Sequence, residues 1–106
     1  MLILKGEGRN LVRLKPAISL FLDGKQNPGT RRAYRIVLED MLSFLGDKRP
    51  VKAVTRVDLA SYEVDINNRD YAPATVRKYI KSVKTFFNWC VRMEIIQNSP
   101  ASEMHA

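Results

Sequence analysis

Apolar residues recur three and four apart over four stretches of this chain, and each stretch is fenced by glycine or proline. That spacing marks one face of an α-helix, and no run alternates apolar and polar residues long enough to compete as a strand. The expected fold class is therefore all-α, a compact bundle of four or five helices joined by short loops. The first stretch, Leu14 to Leu22, puts Ala17, Ile18, Phe21 and Leu22 on one side and stops at Asp23-Gly24, where glycine would suit a left-handed cap. The second opens at Asn27-Pro28, an N-cap residue followed by proline at the first helical position, and runs to Gly46. Its stripe is Tyr34, Val37, Leu38, Met41, Leu42 and Leu45. After a loop at Asp47-Lys48-Arg49-Pro50, Thr55 and Asp58 read as a capping box for a third helix ending near Asn68, with Val57, Ala60 and Val64 in register. The fourth and strongest starts at Ala72-Pro73 and reaches Arg92, with Val76, Tyr79, Ile80, Val83, Phe86, Phe87 and Cys90 on its apolar side.

A chain of 106 residues accommodates one ordinary domain, and 45% hydrophobic with 27% charged residues is the balance of a folding sequence rather than a disordered tail. The organisation expected is an N-terminal segment over 1–13, either an extra element or disordered, a helical domain over 14–101, and the start of a linker over 102–106. The one cysteine, Cys90, has no partner for an internal disulfide, and with His105 as the one histidine there is no ligand set for zinc. No cofactor is expected, and the setting expected is reducing and cytoplasmic. No apolar run approaches the roughly 20 residues that span a bilayer, and Met1 to Asn10 lacks the apolar core and cleavage site of a signal peptide.

Charge narrows the function. The formal net charge is +7 and the pI about 9.9, a balance that favours a polyanionic partner. The charge is also uneven. The second and fourth stretches open alike, sharing Pro-x-Thr-x-Arg-x-Tyr at Pro28 to Tyr34 and again at Pro73 to Tyr79. Both frames set a hydroxyl and basic residues in a first helical turn, where backbone N–H groups and the positive end of the helix dipole attract phosphate. On the fourth helix Arg77, Lys81 and Lys84 make a stripe with Lys78 beside it, and no acidic residue occurs between Pro73 and Arg92. The second helix adds Arg31, Arg32 and Arg35 before turning acidic at Glu39 and Asp40, whereas the third mixes Asp58, Glu63 and Asp65 with Arg56 and Arg69. The competing explanation is a set of ordinary solvated helix faces, which usually mix signs for i,i+4 pairing.

The order Thr30-x-x-x-Tyr34, Leu38, Phe44-Leu45, Val54-Thr55-x-x-Asp58-Leu59, Pro73-x-Thr75-x-Arg77, Phe86-Phe87-x-Trp89 and Ile96-x-x-Ser99-Pro100 resembles the SAM-like core-binding domain of phage-integrase-type tyrosine recombinases. The resemblance covers residues 14 to 101. It implies a helical bundle forming half of a C-shaped clamp on the recombination site, with the second and fourth helices toward duplex DNA, in DNA integration or recombination. The contacts it implies are Thr30, Arg31, Arg32 and Arg35 with Thr75, Arg77, Lys78, Lys81 and Lys84. It further implies, as partners, a catalytic domain of the same full-length recombinase and other recombinase protomers on the DNA. Two positions depart from the pattern: Ala72 stands where serine commonly caps the fourth helix, and Ser99 where asparagine is frequent before Pro100.

No catalytic residue is carried over, because the family's nucleophile and its supporting groups belong to the following domain. Of the four tyrosines, Tyr34, Tyr62, Tyr71 and Tyr79, the first and last sit on apolar faces and are expected to pack. Phe86 and Phe87 belong to the core by spacing, Trp89 to its margin, and Cys90 is expected to be a small buried hydrophobe. Asp58, Glu63 and Asp65 are expected on a solvated polar face. The main alternative to DNA binding is a helical protein-interaction adaptor with a basic surface. A membrane-surface helix would need exposed bulky apolar residues beside its lysines, and the fourth helix turns its apolar residues to the core.

Overall fold

The computed structural model describes residues 12–105, and among these residues are four α-helices and one short 3₁₀ turn. Helix α1 is Leu14–Asp23, α2 Pro28–Leu45, α3 Arg56–Asn67 and α4 Pro73–Arg92, with the 3₁₀ turn at Val51–Ala53. No strand occurs among the described residues, so the all-α expectation holds. Val12 and Arg13 lie along the loop before the 3₁₀ turn, where Leu14 N donates to Arg49 O and Val51 N to Val12 O, each at 2.8 Å. The rest of the segment expected over 1–13 lies outside the described residues.

The helix starts follow local chemistry. Asn27 Oδ1 accepts from Gly29 N at 2.8 Å and Thr30 N at 3.1 Å, satisfying two of the donors a helix start leaves free. Thr55 and Asp58 form the reciprocal capping box, with Asp58 N donating to Thr55 Oγ1 at 3.1 Å and Thr55 N to Asp58 Oδ2 at 2.8 Å. Helix α4 starts at Ala72 with no side-chain cap. The helix ends differ from expectation at one point. Gly24 has φ −77° and ψ −8°, a right-handed conformation open to any residue, and the glycine that needs its freedom is Gly46 at φ 103°.

Helices α2 and α4 form the centre, each packed on both α1 and α3. They run in opposite senses. Tyr34, early in α2, meets the Phe21 ring edge-on at 5.2 Å, and the same ring meets Phe86 and Trp89, late in α4, at 5.5 and 5.4 Å. Asp40, further along α2, is joined through Arg69 and Tyr71 to Tyr79, early in α4. The stripes expected on α1, α2 and α4 face this core, with Tyr34, Leu42, Val76, Tyr79 and Trp89 at its margin.

Helix α3 turns the other way from its expected register. Val57 and Val64 are 74% and 60% exposed and Ala60 is exposed, while Leu59, Tyr62 and Ile66 are buried. The two sets lie two residues apart, about 200° around the helix. Leu, Tyr and Ile bury more apolar area than Val, Ala and Val, and the larger set goes inward. The acidic residues of α3, expected on a solvated face, are only partly solvated and lie beside basic partners. Asp58 is paired with Arg49 at 2.8 Å, Asp65 with Arg69 at 2.5 Å, and half-buried Glu63 lies 3.6 Å from His105 Nδ1. Packing also runs past residue 101, since Met104 is buried.

Candidate nucleic-acid interface

The basic residues singled out on α2 and α4 divide into those held by the fold and those left free. Arg31 is held: its Nε and Nη2 donate to Lys25 O at 3.0 and 2.6 Å, closing the turn between α1 and α2. Lys84 is held as well, its half-buried ammonium donating to Met104 O at 2.9 Å and tying the C-terminal turn to α4. Arg32, Arg35, Arg77, Lys78 and Lys81 are exposed, and among the described residues none pairs with a carboxylate. Thr30 is exposed and Thr75 half-buried at the matching first-turn position.

The repeated Pro-x-Thr-x-Arg-x-Tyr frame becomes two equivalent first turns, in which Arg32 and Arg77 point to solvent and Tyr34 and Tyr79 are half-buried against the core. Their helix starts are chemically unlike. At α2 the Asn27 side chain already occupies the N–H groups of Gly29 and Thr30, whereas at α4 no side chain does so. The opposite senses of α2 and α4 also put the two first turns toward opposite ends of the pair, not side by side.

Behind these faces lies a polar cluster that sequence reasoning missed. Asp40 Oδ2 accepts from Tyr62 OH at 2.6 Å and from Arg69 Nη1 at 2.9 Å. Arg69 Nε and Nη2 both reach Asp65 Oδ2, and Nη1 also donates to Tyr71 OH at 3.2 Å. The Tyr71 ring then lies 5.3 Å from that of Tyr79. Burial, then the Asp40 acceptor, pushes the Tyr62 phenol well up, so it stays a donor, while the Arg69 donor lowers Tyr71. Tyr79 is pushed up to about 12, chiefly by burial. The one signal in the sequence was the i,i+4 spacing of Asp65 and Arg69; nothing local points to Asp40.

Cys90 is buried, and burial pushes its thiol up to about 12, which suits a packed hydrophobe rather than a nucleophile. No helix among the described residues is long and apolar enough to cross a membrane.

Comparison with known proteins agrees with this architecture. Residues 20–97 match the family model of the phage integrase N-terminal SAM-like domain. A tyrosine recombinase XerC from Roseiflexus castenholzii is 32% identical over 77 residues, covering 71% of this chain and 24% of that protein. Another, from Lacticaseibacillus casei, is 25% identical over 84 residues, covering 76% of this chain and 28% of that protein. The chain thus spans about a quarter of the length of the curated relatives it matches. No solved structure gave a match. With four helices in the expected order and a family match over most of its length, the chain belongs to the phage integrase N-terminal SAM-like domain family.

Proposed function

We propose that this chain is the duplex-DNA-gripping core-binding domain of a tyrosine recombinase, acting in site-specific integration or recombination beside a catalytic domain and further recombinase protomers. The observation that carries the reading is the set of exposed cations without carboxylate partners, Arg32 and Arg35 on α2 with Arg77, Lys78 and Lys81 on α4. An ordinary solvated helix twenty residues long would carry acids among its bases; α4 carries none. Thr30 and Thr75 stand at the first turns as hydroxyl donors to the same backbone. Arg31 and Lys84 belong to this surface as neighbours whose charge adds to the field while their donors are held by Lys25 O and Met104 O. Because the two first turns lie toward opposite ends of the α2–α4 pair, a DNA backbone would meet them in succession.

Titration of the 106-residue chain against a plain duplex, over a range of salt, tests the reading. Binding should be weak, about 10⁻⁴ to 10⁻⁶ M near physiological salt, as for contacts to phosphate alone. Each phosphate neutralised contributes about 0.9 to the slope of log K against log salt, so the five free side chains support a slope of up to about 4 to 5. Affinity that does not change with salt would leave the adaptor reading in its place.

A further inference from the structure

We infer that Arg69 is a positioning residue for the DNA grip: through Asp40 and Tyr71 it sets the spacing between the basic faces of α2 and α4, touching no DNA itself. The inference rests on the DNA-binding reading above and goes beyond it by naming what holds the two faces in register. Arg69 follows the end of α3 and is bound at three places. Its Nε and Nη2 grip Asp65 on α3, its Nη1 reaches Asp40 on α2 at 2.9 Å, and the same Nη1 donates to Tyr71 OH at 3.2 Å in the loop that leads into α4. Its guanidinium carbon also lies 5.9 Å from the Tyr62 ring and 5.7 Å from that of Tyr71. Tyr71 in turn packs on Tyr79, two residues from both Arg77 and Lys81 and so about 200° around α4 from each. The cluster therefore braces the back of the α4 segment whose front is basic. It does so at a start that has no side-chain cap of its own. A planar fork making several hydrogen bonds fixes direction as well as distance, which the single ammonium of lysine does not.

The sign of a charge change separates positioning from attraction by net charge. Asp40→Asn makes the chain more positive, so bulk attraction alone would tighten binding to a plain duplex; positioning requires weaker binding instead. Arg69→Lys leaves the net charge unchanged and loses the fork, and should also weaken binding. In both variants the salt slope should drop by about 0.9 to 1.8, the loss of one or two phosphate contacts. Tyr71→Phe keeps the ring on Tyr79, removes only the hydroxyl, and should produce a smaller loss in the same direction. It decides the matter if a charged variant folds incompletely by circular dichroism. Folded variants that keep the wild-type slope, or an Asp40→Asn chain that binds more tightly, would overturn the positioning role while leaving the DNA reading intact. A wild-type chain with no salt-dependent binding would instead remove the DNA reading itself.

Discussion

Asn27 and Thr55 show how much a single side-chain oxygen decides at a helix start. Each accepts from backbone N–H groups that the first turn leaves unpaired, and Asp58 completes the second cap by accepting from Thr55 N. Replacing Asn27 with alanine should lower stability by about 1 kcal/mol, seen as a lower denaturant midpoint at unchanged slope. Asp58 adds a pH dependence. The Thr55 backbone donor, helped by Thr55 Oγ1 and Arg49, holds its carboxyl below the ordinary value of 3.8. Its stabilising contribution is therefore complete above that unfolded value and is lost as pH falls through the lower folded one. Denaturation measured between neutral and strongly acid pH should show a smaller acid loss for Asp58→Asn than for the wild type. Both caps were legible in the sequence because their partners lie two or three residues away. The Asp40–Tyr62 bond, 22 residues apart, was not, since only the packing of α3 on α2 brings it about.

At the level of the helix, α4 reads directly from its sequence and α3 does not. Val76, Ile80, Val83, Phe87 and Cys90 leave α4 one choice of inward face, and its bases fall on the other side. In α3, valines and alanine occupy one side and Leu59, Tyr62 and Ile66 another, so periodicity alone offers two faces and the size of the side chains decides. The same distinction governs the candidate contact residues. Arg77, Lys78 and Lys81 are free as the spacing suggested, but nothing within α4 foretells that Lys84 would be taken by Met104 O, twenty residues later. Replacing Arg77, Lys78 and Lys81 together with alanine should lower the salt slope of DNA binding by up to about 3 units while shifting stability by less than about 0.5 kcal/mol per site. The comparison variant should remove exposed Lys48 and Lys52; Arg49 is unsuitable because it pairs with Asp58. Equal losses per charge in the two variants would mean attraction by net charge alone, with no special role for α4.

The described residues form a bundle whose largely aliphatic core also holds aromatic contacts between α1, α2 and α4, with its thiol buried. Its tyrosines serve packing and hydrogen bonding: Tyr62 is fully buried, and Tyr34, Tyr71 and Tyr79 are half-buried against the core. Incubation with a nicked suicide substrate should accordingly give no covalent protein–DNA adduct on a denaturing gel, and a tyrosyl adduct on any of the four would reverse the domain assignment. The pairing of charges across the bundle has a kinetic side. On α3, Asp58 and Asp65 are neutralised by Arg49 and Arg69, so the excess behind the +7 net charge is carried in good part by the open cations of α2 and α4. A body charged in this lopsided way is turned by the field of a polyanion before contact, so it arrives already oriented more often than chance allows. If DNA is the partner, as proposed above, salt should act first on how fast encounters form, while residence time depends more on how well the basic faces of α2 and α4 meet the phosphates.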